Sequence, residues 1–205
     1  MPTTIGLFGG TFDPPHIGHL IISAEADAQL GLDRLFWVLT PDPPHKQGQP
    51  VTSLDHRLAM VKLAIANNSR FELSYVEINR PGPHYALDTV KIIAAQYPNS
   101  DLVYIIGGDS LRDLPSWHRP VELVATLKTV AVLRRPGDSI DLISLEKIIP
   151  GLSGKVKYIK APLLDIAAHE IRQRIANNRP FRYYLPSAVY DYILENHLYR
   201  LSPEN

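Results

Sequence analysis

The chain contains no cysteine and has no excess of either charge. Without cysteine there are no disulfides and no thiol chemistry, and a zinc site would have to be assembled from histidine and carboxylates alone. Its 21 basic residues are balanced by 21 acidic ones. No global field therefore draws nucleic acid or an anionic membrane, and any phosphate-bearing partner must be held by local charges. No apolar run reaches the roughly 18 residues that a membrane span needs, and the first residues lack the basic, apolar and small order of a signal peptide. The expectation is a cytoplasmic protein that binds neither nucleic acid nor membrane. A Gly-x-Gly-x-x-Gly fingerprint is missing too, and the only Gly-Lys pair, Gly154-Lys155, lacks the spacing of a P-loop. With 205 residues, 45% of them hydrophobic, the chain can bury a real core as one domain over 1–205, with 180–205 as a helical C-terminal segment.

What is present is concentrated near the start. The apolar stretch Thr4-Ile5-Gly6-Leu7-Phe8 reads as a buried strand and runs into Gly9-Gly10-Thr11-Phe12-Asp13-Pro14-Pro15-His16-Ile17-Gly18-His19-Leu20. Glycine, aspartate and proline predict a turn there, followed by a helix from near Ile17. His16 and His19 are three residues apart, so on a first helical turn their imidazoles share one face beside backbone N–H groups that lack intrahelical partners. Such a corner suits an anion. Gly9, Gly10 and Gly18 would let a phosphate or an adenine approach the backbone closely. His45 could add a third zinc ligand, but the ligand set stays poor, and no metal site is expected.

Strand-like and helical runs alternate along the chain, the pattern of a doubly wound parallel α/β sheet. Strands are expected near Ile5-Phe8, Arg34-Leu39, Phe71-Val76, Leu102-Gly107, Thr129-Leu133 and Val156-Ile159, with helices over Ile17-Leu30, Leu54-Ala66, Ala86-Tyr97 and His169-Ala176. Ser53, Asp165 and Ser187 are candidate caps or pre-helix turns. Ligands of such sheets sit beyond the carboxyl ends of the strands, where the Gly9 loop lies. Three loops rich in proline, glycine and charge also leave strand ends, at 40–52, 79–84 and 134–138. Lys46 stands on a proline-stiffened loop, able to meet a triphosphate or simply face solvent. Asp109, after Ile105-Ile106-Gly107-Gly108, reads as a ligand for a ribose hydroxyl or a metal, or as an N-cap. Trp117 could stack on an aromatic ligand or fill core, whereas Trp37 reads as core. Arg134 and Arg172 could pair with phosphate.

Taken in order, these blocks resemble the bacterial nicotinate-nucleotide adenylyltransferases of the His-x-Gly-His nucleotidyltransferase superfamily. The likeness spans nearly the whole chain: the Gly9-to-Leu20 block, Pro43-Pro44-His45-Lys46, Arg57-Leu58-Ala59-Met60, Tyr85 with Asp88-Thr89, Ile106-Gly107-Gly108-Asp109-Ser110, Trp117, Arg134-Arg135-Pro136-Gly137, Ile171-Arg172 and the ending from Tyr184-Leu185-Pro186 to Leu198-Tyr199. The resemblance implies adenylyl transfer from ATP, with Mg²⁺, to nicotinate mononucleotide in NAD biosynthesis. It places His16, His19, Lys46 and Arg172 in catalysis. Gly9, Gly10, Thr11, Phe12, Gly18, Gly107, Asp109, Ile166 and His169 fall around ATP, and His45, Tyr85, Trp117 and Arg134 around the mononucleotide. A homo-oligomer is compatible with the sequence.

Two departures from the family pattern stand out. A helix-start motif Ile-Ser-Ser-Thr-x-x-Arg reads here Ile166-Ala167-Ala168-His169-Glu170-Ile171-Arg172, which removes both serine hydroxyls and puts a histidine in place of the threonine. The Ser-Tyr-Thr of the nicotinate loop reads His84-Tyr85-Ala86, removing a hydroxyl near the pyridine ring. The alternatives they raise are use of nicotinamide mononucleotide, alone or as well, and a nucleotide-binding sensor without catalysis.

Overall fold

A computed structural model describes residues 2–42, 51–133, 140–162 and 164–200. Six parallel strands, β1 (Thr3–Gly10), β2 (Arg34–Leu39), β3 (Phe71–Ser74), β4 (Ser100–Gly107), β5 (Thr129–Leu133) and β6 (Val156–Ile159), form one sheet in the order β3-β2-β1-β4-β5-β6. Strand order reverses between β1 and β4, so the crevice of this doubly wound sheet opens beyond their carboxyl ends. The helices are α1 (Ile17–Leu30), α2 (Leu54–Ile65), α3 (Ala86–Gln96), α4 (Gly108–Asp113), α5 (Pro120–Thr126), α6 (Leu142–Ile148), α7 (Ala168–Ala176) and α8 (Ser187–Glu195).

Both sheet faces are covered, which is why the strands read as near-continuous apolar runs. Because side chains alternate along a strand, Leu35, Trp37 and Leu39 enter one core with Met60 of α2, Ile171 of α7 and Val189 of α8. Ile5, Leu7, Phe36 and Val38 enter the other with Leu87 and Val90 of α3 and Leu123 of α5. Trp37 is wholly buried, as expected of a core residue. No helix among the described residues is long and apolar enough to cross a membrane.

Several local expectations are corrected. Gly9 and Gly10 belong to β1, paired with Val38 and Leu39 of β2, so the turn begins only at Thr11. β3 stops at Ser74, two residues short of the expected end. The cap position of α7 is Ala167 rather than Asp165, and Ser187 is the first residue of α8, behind Pro186. Ser53 does occupy the cap position of α2, but without a side-chain hydrogen bond. Helices α4, α5 and α6 have six or seven residues, too few for an apolar period to show in sequence.

Candidate active site

The corner expected to suit a phosphate lies where β1 hands over to α1. His16 is the N-cap residue with extended backbone, and His19 lies in the first turn, so only one of the pair is helical. The His16 backbone N–H donates to His19 Nδ1 at 3.1 Å, which puts the proton of a neutral His19 on Nε2. The two rings stack at 3.7 Å between centroids. Phe12 and Phe8 pack against His19 at 5.1 and 5.9 Å, so its orientation is set by packing.

The glycines of this corner divide by cause. A Cβ on Gly10 would come within 2.9 Å of the Phe12 ring, and one on Gly18 within 3.0 Å of the His16 ring. Those two are required by the protein's own side chains rather than directly by a ligand. Gly107 has nothing within 4 Å of such an atom, and Gly9 only the Tyr104 hydroxyl at 3.5 Å, so these two keep the expected open approach above β4 and β1. Phe12 itself is buried and stacks on Trp37 at 4.8 Å. Any contact it makes with a nucleotide is through its backbone.

Burial carries His16 down to a pKa of about 4 from 6.5. In the free protein it is therefore a neutral imidazole at pH 7. Between pH 6.5 and about 4 the unfolded chain takes up a proton that the folded one refuses, so stability falls as pH falls through that window. Wild type is expected to lose about 2 kcal/mol more than His16→Asn between pH 7 and pH 5. Urea midpoints at the two pH values measure this, and equal losses in the two proteins would refute it.

Arg57 frames the corner from below. On α2 it shares the buried face of Met60, Val61 and Ala64, and its guanidinium donates to four carbonyls: Thr11 at 3.2 Å, Thr40 at 2.8 Å, Pro41 at 2.7 Å and Thr52 at 2.9 Å. The loops after β1 and β2 are thereby tied to the start of α2. Arg172, in the first half of α7, donates through Nη1 to the Asp13 carbonyl at 2.7 Å. Two elements far apart in sequence thus meet at the histidine loop. Ile166 packs against the neighbouring core, while His169 is exposed. Among the described residues no side chain caps α7, so its first N–H groups lack the hydroxyls that the family pattern would supply.

Beside the corner, at the switch point, lies a cavity of about 390 Å³ lined by β1, β2 and β4 ends and by the segments 84–86 and 116–118. Its walls are aromatic. Tyr85 stacks on His118 at 4.2 Å and 16°, and Trp117 stands edge-on to Tyr104 at 6.1 Å. Trp117 follows a 3₁₀ turn, Leu114–Ser116, and sits partly buried between the second core and the cavity wall. The lining also holds His84 of the nicotinate-loop motif and polar groups that sequence reasoning did not single out: Glu77, Tyr104 and His118. Glu77 accepts from the Thr89 hydroxyl at 2.7 Å, whereas its other oxygen and His84 Nδ1 are buried without a hydrogen-bond partner among the described residues. Burial and the Glu77 charge push the Tyr104 phenol well above its ordinary range, so it remains a hydroxyl. A charged residue on an apolar helical stripe was a signal available for Arg57; Glu77 and Tyr104 carried none.

Asp109 is the second residue of α4 and mostly exposed, and it bonds Arg112 at 3.1 Å; the cap position belongs to Gly107. His45, Lys46 and Arg134 lie outside the described residues. Among the described residues no group of three or more His, Cys, Asp or Glu could hold a metal ion.

Comparison with known proteins supplies the family context for this geometry. Residues 7–174 match the model of the Cytidylyltransferase-like family. A probable nicotinate-nucleotide adenylyltransferase of Thermomicrobium roseum is 42% identical over 96% of this chain and 91% of its own. The nicotinate-nucleotide adenylyltransferase of Bacillus subtilis is 40% identical over 95% and 97%. The fold is shared with the Plasmodium falciparum nicotinic acid mononucleotide adenylyltransferase complexed with NaAD, at a TM-score of 0.79 and 22% identity, covering 96% of this chain and 97% of that one.

Proposed function

Because the chain belongs to the nicotinate-nucleotide adenylyltransferases, a nucleotidyltransferase family, we propose that it transfers the adenylyl group of ATP to nicotinate mononucleotide, releasing pyrophosphate and forming deamido-NAD. The observation that carries this reading is the junction of two sites at one switch point: a stacked histidine pair at a helix start, and an aromatic cavity adjoining it. The first suits a triphosphate and the second a pyridine nucleotide.

The mononucleotide phosphate is an anion at neutral pH and needs no general base. One of its oxygens forms a bond to the α-phosphorus of ATP as the bond from that phosphorus to the β-bridging oxygen breaks, and pyrophosphate departs with the electron pair. Catalysis is then alignment plus neutralisation of charge on the α-phosphoryl and the leaving group. In this reading His19 Nε2–H and His16 donate to phosphate oxygens, and Arg172 and Lys46 add positive charge. Tyr85 and Trp117 hold the pyridine ring. Mg²⁺ arrives with ATP as part of the substrate, bound by phosphate oxygens and water, as suits an ion that dehydrates reluctantly.

A carboxylate oxygen of Glu77, a residue that lines the cavity, favours one second reading, use of the amide as well. A carboxamide can donate to that oxygen, whereas a carboxylate cannot. The test is pyrophosphate release from MgATP with each mononucleotide, the dinucleotide being identified by mass. Product from the acid at tenfold or greater preference supports the primary reading, and comparable rates support dual use. ATP binding with no product from either would overturn both in favour of a non-catalytic sensor.

A further inference from the structure

The C-terminal segment returns to the histidine loop. The Tyr199 hydroxyl donates to Asp13 Oδ1 at 2.7 Å across 186 positions of sequence. Asp13 Oδ2 accepts from the Thr52 backbone N–H at 3.2 Å, and the Asp13 carbonyl is the group on which Arg172 docks. Asp13 is 4% exposed, so this carboxylate has exchanged water for two donors, one from the tail and one from the start of α2. Both neighbourhoods of the link have strained backbone. Phe12, next to Asp13, has φ 48°, and Tyr199 has φ 63°, left-handed values that are unusual for bulky side chains. Strain of this kind persists only where the surroundings over-determine it.

We propose that Tyr199 is a positioning residue of the active site: through Asp13 it fixes the backbone between Phe12 and His16, and with it the spacing between the histidine pair and Arg172. Tail packing alone does not account for the arrangement, because Leu198 and the Tyr199 ring both pack against the first core, and such packing needs no hydroxyl. The hydroxyl adds a directed bond to the residue that receives Arg172. Burial and the Asp13 charge hold the phenol far above its ordinary range, so it donates throughout the working pH range. The inference rests on the adenylyl-transfer reading for its catalytic consequence.

The test is Tyr199→Phe, which keeps the ring and removes the bond. At a temperature where melting curves show both proteins folded, the variant is expected to lose about tenfold in kcat, the lower end for a hydrogen bond to a charged group, and to bind ATP more weakly in calorimetry. Combined with Arg172→Ala, it should cost much less than the product of the two single losses, because both act through Asp13. A merely structural tyrosine would lower the melting temperature and leave kcat and ATP affinity unchanged. Values within twofold of wild type, or fully multiplicative losses, overturn the proposal. If wild type releases no pyrophosphate, the function reading fails, and ATP affinities of the same four proteins still decide the role of Tyr199.

Discussion

Replacing His19 by alanine should lower turnover about 10²- to 10³-fold while changing ATP affinity by no more than about tenfold. That is the range for removing one preorganised donor aimed at charge that develops in a transition state. The asymmetry follows from how the ring is held. Its Nδ1 accepts the His16 backbone N–H, Phe12 packs at 5.1 Å, and the His16 ring stacks at 3.7 Å. A donor so fixed needs no reorganisation as charge moves onto the leaving group, but adds little to a ground state in which ATP is bound by other groups as well. His19→Gln presents an amide N–H near the position of Nε2 and should recover part of the loss. Single-turnover rates and ATP binding on the same variant separate the two effects. An alanine variant within fivefold of wild-type turnover would remove His19 from the chemistry.

Arg57→Met is expected to destabilise the protein by about 3–5 kcal/mol, the range for removing one partner of a buried charged contact. Four carbonyls on three segments lose their donor together, and that donor is a residue only 3% exposed. Burial lowers the Arg57 pKa, yet a guanidinium stays protonated. Arg57→Lys should be nearly as damaging, since one ammonium cannot reproduce a planar fork that reaches Thr11, Thr40, Pro41 and Thr52 at once. Urea unfolding at pH 7 measures both. A loss below about 1 kcal/mol in the methionine variant would show that the loops hold their positions without this residue.

Much of the site was legible where its chemistry is local. The strand, the glycines and the histidine pair follow one another between Ile5 and His19, so spacing alone placed His16 and His19 at a helix start. Local reading still misplaced causes: Gly10 and Gly18 make room for Phe12 and His16, a relation that depends on ring positions rather than on ligand contact. It also missed Glu77, Tyr104 and His118, because a polar residue in a loop or strand looks the same in sequence whether it faces solvent or a cavity.

The sequence by itself determined the alternation of strands and helices, hence a parallel sheet with both faces covered, because apolar periodicity within each segment decides which faces must be buried. It also placed His16 and His19 at the start of α1. The tertiary structure alone decided that the order reverses between β1 and β4, that the aromatic cavity of Tyr85 and Trp117 opens beside that corner, and that Arg57, Arg172 and Tyr199 converge on the histidine loop. Those are contacts between segments tens to nearly two hundred residues apart. No pattern within one segment encodes them, since they exist only once both cores have packed and brought the carboxyl ends of the strands together.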